Sequence, residues 1–263
     1  MKKTLTYAVA AIMACAGLVL ILGLFLTGEK TSALSENPKT LLIAHRGYSS
    51  LYVENSLKAF EAAGKSNFDA IECDIQVTKD GEIVISHDES LLRLIGVDKV
   101  ISESTWPEIK NLPFLDDTTQ TTATLTDFLD VCRKYQKMAI IEIKEKVRVE
   151  DIKAIYDTVK ASGLESFQFI SFNIEHLISL RAIDNNLNLQ FLTRKYSPNY
   201  LKTCLDYRLS PSINYKSLTK PLIELFHSYG LKVGVWTVDD ITVANRLMEE
   251  GVDYLTTNKL VAK

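Results

Sequence analysis

From Thr40 onward the chain alternates short apolar runs with longer segments of helical periodicity, and this restricts it to a parallel sheet flanked by helices. The apolar runs are Thr40–His45, Asp69–Val77, Met138–Lys144, Phe167–Ser171, Asn188–Thr193, Ser210–Asn214, Lys232–Val238 and Val252–Thr256. Eight parallel strands close a barrel, and roughly 250 residues suffice for one. The expected fold is therefore α/β, a TIM (β/α)8 barrel over residues 40–263. Helical patterns are expected at Glu54–Ala63, Thr126–Lys134 with Thr126 as cap, Val149–Ser162, Ile174–Asp184, Lys220–Tyr229 and Asp239–Glu250. The interval from Glu89 to Leu125 is long for a strand-to-helix connection. It holds Trp106-Pro107-Glu108-Ile109, which reads as a short helix with proline in its first turn.

Ahead of the barrel, Tyr7 to Leu26 carries no charge. At about 1.5 Å per residue such a run spans roughly 30 Å as a helix, the thickness of a bilayer core. Lys2 and Lys3 precede it, which orients the N-terminus to the cytoplasm. Residues 1–27 are thus expected to form a transmembrane anchor, residues 28–39 a polar linker, and the barrel to lie outside the cell membrane. A cleaved signal peptide, which would release a secreted domain, is the rival. Its apolar part is normally about 7–15 residues, shorter than this run.

Charge and cysteines exclude several classes. The net charge is -3, and setting Lys2 and Lys3 aside leaves 28 basic against 33 acidic residues. A mildly acidic domain lacks the basic face that displaces counterions from nucleic acid, so no nucleic-acid partner is expected. Cys15 falls in the apolar run, and Cys73, Cys132 and Cys204 have neither zinc-type spacing nor an even count, so buried thiols are expected.

The chemistry concentrates between Leu41 and Asp88. His45-Arg46-Gly47 ends the first strand, Glu72-Cys73-Asp74 lies in the second, and Asp80-Gly81 and His87-Asp88 follow. Side chains alternate along a strand, so Glu72 and Asp74 share one face and Ile71, Cys73 and Ile75 the other. Apolar residues suit the helix side, which turns the carboxylates into the barrel. Two carboxylates so placed need a positive charge between them, and a hard divalent cation with oxygen ligands meets that need. Glu142 interrupts the apolar strand Met138–Lys144, and Lys144 shares its face. A carboxylate and an ammonium together suit a metal ligand beside a phosphate-binding cation.

Singly, each of these residues has an ordinary explanation. A lone carboxylate is usually solvated or ion-paired, Arg46 and Lys144 could pair with acidic neighbours, and Trp236 could be a core aromatic. His176 and His227 lie in helical patterns and read as structural. The combination is more specific, because these groups gather near C-terminal strand ends, the catalytic face of such barrels.

This ordered set resembles the glycerophosphodiester phosphodiesterase family: His45-Arg46-Gly47, Glu54-Asn55-Ser56, Glu72-x-Asp74, Asp80-Gly81, His87-Asp88, Glu142-x-Lys144 and Val235-Trp236-Thr237-Val238, spanning about residues 41–258. The resemblance implies a TIM barrel that hydrolyses glycerophosphodiesters to an alcohol and glycerol 3-phosphate with a divalent cation, Ca²⁺ or Mg²⁺. It implies His45 and His87 as the acid–base pair, Glu72, Asp74 and Glu142 as metal ligands, Arg46 and Lys144 as phosphate-binding cations, and Trp236 as packing for the glycerol. Two positions depart from the family pattern: Val53 replaces a proline, and Asn258 stands where an aspartate is usual. The attacking group is either water or the glycerol 2-hydroxyl. The alternatives are a related enzyme acting on lysophospholipids or glycerophosphate polymers, and a non-catalytic barrel that binds such polymers, against which both histidines argue.

Overall fold

The computed structural model describes residues 40–259. Nine strands form one sheet: β1 (Leu41–Ala44), β2 (Ala70–Val77), β3 (Ile83–Ile85), β4 (Met138–Ile143), β5 (Phe167–Ser171), β6 (Leu189–Thr193), β7 (Ser210–Asn214), β8 (Gly234–Trp236) and β9 (Tyr254–Thr257). All but β3 are parallel, and they run in the order β1-β9-β8-β7-β6-β5-β4-β2, closed by pairing of β1 with β2. The eight-stranded parallel barrel is therefore as expected, with strand ends shifted by a few residues.

The residue alternation sorts the core into two layers. Ile43, Ala70, Ile140, Ile170, Leu192 and Tyr254 point inward and pack together inside the barrel. Their neighbours Ala44, Ile71, Cys73, Ile141 and Phe169 point outward and bury against the helices. Glu72 and Asp74 continue the inward row begun by Ala70, two and four residues along β2. Cys73, Cys132 and Cys204 are buried free thiols.

Two helix assignments are corrected. Thr124, not Thr126, caps the helix Leu125–Lys134. Its hydroxyl accepts from Asp127 N, and Asp127 returns the contact to Thr124 N, a reciprocal box that Thr126 has no acidic partner to make. A further helix, Pro198–Tyr207, fills the connection between β6 and β7, begun by Ser197, whose hydroxyl accepts from Tyr200 N. Only Tyr200 and Cys204 of that helix are buried, so its apolar periodicity is faint.

The long connection after β2 contains β3, which folds back antiparallel on β2. Beyond it lie α-helices at Leu92–Ile95 and Trp106–Ile109, the latter with its expected proline, over a separate apolar cluster of Val84, Leu91, Ile95, Ile101, Ile109 and Phe114. The expected membrane anchor at 1–27 and linker at 28–39 lie outside the described residues. Among the described residues no helix is long and apolar enough to cross a membrane.

Candidate active site

The first site element is the turn that leaves β1. His45 N donates to Thr257 O on the neighbouring strand at 2.9 Å, which keeps His45 in the barrel wall. The chain then turns sharply, with Arg46 and Gly47 both in the left-handed region at φ +56° and +75°. Gly47 is required twice over, because a Cβ there would also stand 2.6 Å from the Ala59 carbonyl carbon. Arg46 holds this uncommon backbone because its N–H donates to Glu72 Oε2 at 2.8 Å.

Glu54, Asn55 and Ser56 tie this turn to Arg93, to β2 and to the following helix in turn. Glu54 Oε1 accepts from Arg46 Nη1 at 2.8 Å and from Arg93 Nη2 at 2.7 Å. Asn55, itself at φ +58°, donates from Nδ2 to Asp74 Oδ2 at 2.9 Å and accepts from Asp74 N at 3.3 Å. Ser56 caps the helix Leu57–Gly64 by accepting from Ala59 N.

The three carboxylates named above converge. Asp74 and Glu142 are opposite one another in the β2–β4 register, and ligand oxygens of Glu72, Asp74 and Glu142 all lie within 4.8 Å of one another. All three residues are buried. Arg46 Nε lies 3.2 Å from Asp74 Oδ2, and Lys144 Nζ lies 3.3 Å from Asp74 Oδ1 and 2.7 Å from Glu142 Oε1. Both cations are thus paired with the cluster, yet two positive groups face three carboxyls. Burial, followed by repulsion from Asp74 and Glu142, pushes Glu72 well above the ordinary carboxylate range. Burial and Asp74 raise Glu142 to about 7. Burial opposes ionisation of Asp74 too, but Lys144 and Arg46 keep it below its usual value.

The donor set fits a hard divalent cation. Glu72 Oε1 and Asp74 Oδ1 are buried without a hydrogen-bond partner, Asp74 Oδ1 having only the longer ion-pair contact with Lys144. Buried polar atoms are seldom left so. Oxygen ligands at this density and charge are what Ca²⁺ and Mg²⁺ take.

His87 is delivered by the β2–β3 hairpin. Thr78 N donates to Glu82 O, and Gly81 at φ +91° reverses the chain. Ser86 N then donates to Asp74 O at 2.9 Å, which fixes the next residue, His87, beside the acidic cluster. His87 Nδ1 contacts Asp88 Oδ1 at 2.7 Å, and Asp88 Oδ2 accepts from Arg93 Nε at 2.5 Å. His45 has a different partner. Its Nδ1 stands 2.8 Å from Asn258 Oδ1, and Asn258 Nδ2 donates to Asp239 Oδ2 at 2.6 Å. Burial, then the adjacent Arg46, lower the His45 pKa from its ordinary value.

These groups open into one cavity of about 690 Å³ at the C-terminal mouth of the barrel, lined by both histidines, Arg46, Glu72, Glu142 and Lys144. The opposite wall is apolar, with Ile170, Leu192, Phe172 and Trp236. Trp236 meets Phe172 edge to face at 5.5 Å, and its Nε1 donates to Ser212 O. Arg194 stacks over Phe172 at 4.9 Å, and Leu92, 55% exposed, reaches the rim from the insertion.

All eight residues singled out in the sequence, His45, His87, Arg46, Lys144, Trp236, Glu72, Asp74 and Glu142, therefore border or form this one site. His176 and His227 lie elsewhere, His176 buried against Val147 O and His227 paired with Asp253. Four participants escaped the sequence reading: Asp239, Phe172, Arg93 and Arg194. Phe172 and Arg194 follow β5 and β6 directly, at strand ends on the mouth side, and that position was the available signal.

Comparison with known proteins agrees with this arrangement. The profile of the glycerophosphoryl diester phosphodiesterase family matches residues 45–262. A glycerophosphodiester phosphodiesterase of Caldanaerobacter subterraneus subsp. tengcongensis is 31% identical over 235 residues, covering 84% of this chain and 94% of that protein. One from Bacillus altitudinis is 28% identical over 232 residues, covering 83% and 94%. In structure, the chain is similar to an Oleispira antarctica phosphodiesterase solved in complex with the product sn-glycerol-3-phosphate. The TM-score is 0.78 at 24% identity, over 83% of this chain and 92% of that one.

Proposed function

From the premise that this chain belongs to the glycerophosphoryl diester phosphodiesterase family and is a glycerophosphodiester phosphodiesterase, we propose that it hydrolyses glycerophosphodiesters to an alcohol and glycerol 3-phosphate by a cation-dependent, two-histidine mechanism. The observation that carries this is the convergence of three buried carboxylates, two cations and two histidines with unlike Nδ1 partners on one cavity.

Glu72, Asp74 and Glu142 would hold one divalent cation, Ca²⁺ or Mg²⁺. When bound, it supplies a Lewis acid that offsets negative charge on the phosphate oxygens. Arg46 and Lys144, already aimed at the cluster, bind the same phosphate and stabilise the charge that grows on it during substitution. His45, held neutral by burial and by Arg46, accepts the proton of the attacking hydroxyl. That hydroxyl belongs to water, or to the glycerol 2-position, in which case the cyclic phosphate it forms is then opened by water to glycerol 3-phosphate. His87, whose Nδ1 rests on a carboxylate, carries the proton that passes to the leaving alkoxide as the P–O bond breaks. Trp236 and Phe172 pack the carbon skeleton of the glycerol.

A second reading is favoured by the apolar wall and by Leu92 exposed at the rim: the same groups cleave a lysophospholipid or a glycerophosphate polymer. The uncharged run Tyr7–Leu26 supports a single-pass anchor with the barrel outside the cell membrane, the right place for either substrate. The test is turnover by the full-length protein of glycerophosphocholine, glycerophosphoethanolamine, lysophosphatidylcholine and a glycerophosphate polymer, with the phosphomonoester product measured: glycerol 3-phosphate from the diesters and polymer, lysophosphatidic acid from the lysolipid. Preference for the small diesters supports the first reading and preference for the lipid or polymer the second. Release of a phosphomonoester from none of them contradicts both.

A further inference from the structure

Asn258 and Asp239 take no direct part in the mechanism above, yet they form a defined chain behind His45. Asp239 sits just after β8 and Asn258 just after β9, so adjacent strand ends bring them together. Asp239 Oδ1 accepts from Asn258 N at 2.8 Å and from Thr257 Oγ1 at 2.9 Å. Its Oδ2 accepts from Asn258 Nδ2 at 2.6 Å. Burial opposes its ionisation, but these donors hold Asp239 below the usual carboxylate range.

The Asp239 carboxylate settles which way the Asn258 amide points. A carboxylate only accepts hydrogen bonds, so the Asn258 NH₂ must face it. The amide oxygen then faces the other way, toward Ser49 Oγ at 2.9 Å and His45 Nδ1 at 2.8 Å. An amide oxygen also only accepts, so the hydrogen of that contact belongs to His45 Nδ1. A neutral imidazole has a single N–H, and Nε2 is left with its lone pair.

We propose that Asn258, oriented by Asp239, is a positioning residue that fixes His45 in the Nδ1–H tautomer and so leaves Nε2 as its proton-accepting nitrogen. This inference rests on the reading of His45 as the base. Because the amide is neutral, it orients the ring without placing a carboxylate on it, in contrast to the Asp88 behind His87. The two histidines thus receive orienting groups of different charge, in keeping with their opposite tasks.

The test compares Asn258→Leu, Asn258→Asp and the exchange variant Asn258→Asp with Asp239→Asn. Nitrogen-15 NMR of the ring-labelled, metal-free full-length protein reads the His45 tautomer, and steady-state kinetics read kcat and KM separately. In the parent protein His45 should show a protonated-type Nδ1 signal and an unprotonated-type Nε2 signal. Asn258→Leu should mix the tautomers and lower kcat by about 10–100-fold with KM unchanged, since an imidazole in the wrong tautomer cannot accept the proton. Asn258→Asp alone sets two carboxylates against each other and should also lose kcat. The exchange variant restores one carboxylate and one amide and should recover both the tautomer and much of kcat. The proposal is overturned if the parent His45 carries its hydrogen on Nε2. It is equally overturned if Asn258→Leu keeps the parent tautomer and kcat, or if the exchange variant recovers nothing beyond Asn258→Asp. Full activity of His45→Ala would instead overturn the underlying assignment of the base.

Discussion

Replacing Glu142 by glutamine should stabilise the metal-free protein and weaken its response to metal. The Glu142 side chain is 11% exposed, and burial and Asp74 raise its pKa from 4.5 to about 7. An acid whose pKa is raised on folding binds more protons folded than unfolded, so it contributes instability as pH rises. Below about 4.5 it is protonated in both states and contributes nothing. Between about 4.5 and 7 the contribution grows, and above 7 it levels off. A difference of about 2.5 units at about 1.4 kcal/mol each gives roughly 3–4 kcal/mol of destabilisation at pH 8. Glutamine keeps the side-chain oxygen that Lys144 Nζ contacts at 2.7 Å and removes the charge. In chelator, urea unfolding should therefore show Glu142→Gln about 3–4 kcal/mol more stable than the parent at pH 8 and nearly equal to it at pH 4.5. Adding divalent cation at about 1,000 times its Kd should stabilise the parent by about 4 kcal/mol and the variant far less, closing the gap between them. A glutamine variant less stable than the parent at pH 8 in chelator would refute the electrostatic reasoning. Equal stabilisation of both by cation would refute the assignment of Glu142 as a ligand.

The histidine roles separate by leaving group. His87→Ala should lose turnover of glycerophosphocholine by about 10²–10⁴-fold but keep much of it on a nitrophenyl diester, whose leaving anion needs no proton, whereas His45→Ala should lose both. Equal proportional losses in the two variants would contradict the division. The lowered His45 pKa predicts that kcat/KM persists as pH falls below the ordinary histidine value near 6.5, because a base is lost only on protonation at its own, lower pKa. A pH profile whose acid limb lies above 6.5 would count against it. Gly47→Ala places a Cβ 2.6 Å from Ala59 backbone and forces φ +75° on alanine, so thermal unfolding should show a loss of at least about 1 kcal/mol. Protease added to intact protoplasts should remove the barrel, and protection of the barrel would contradict an extracytoplasmic location.

Local sequence reveals most of this molecule, and the exceptions have a common cause. Glu72 and Asp74 are two residues apart on one strand, so their shared face follows from pleating alone, and Glu142 announces itself by interrupting an apolar run. The partners of these groups are legible only in three dimensions. His45 and Asn258 are 213 residues apart, and nothing local to either marks the bond between them. The placement of His87 depends on a three-residue strand folding back on β2, too short to stand out as a separate element. The helix Pro198–Tyr207 is faint in the sequence because its exposed, polar surface hides its period, and only Ser197-Pro198 marks its start. Arg46 and Lys144 were expected beside phosphate. In the structure they lie against the carboxylates, because two cations are the nearest counter-charges to that cluster.

The most direct measurement of the central claim is phosphorus-31 NMR of glycerophosphodiester turnover by full-length protein that has been stripped with chelator and then titrated with Ca²⁺ or Mg²⁺. The arrangement of Glu72, Asp74 and Glu142 predicts no turnover in the stripped protein. It predicts a glycerol 3-phosphate signal that rises and saturates as cation is added, and no such recovery in Glu72→Ala. Undiminished turnover in excess chelator would contradict it.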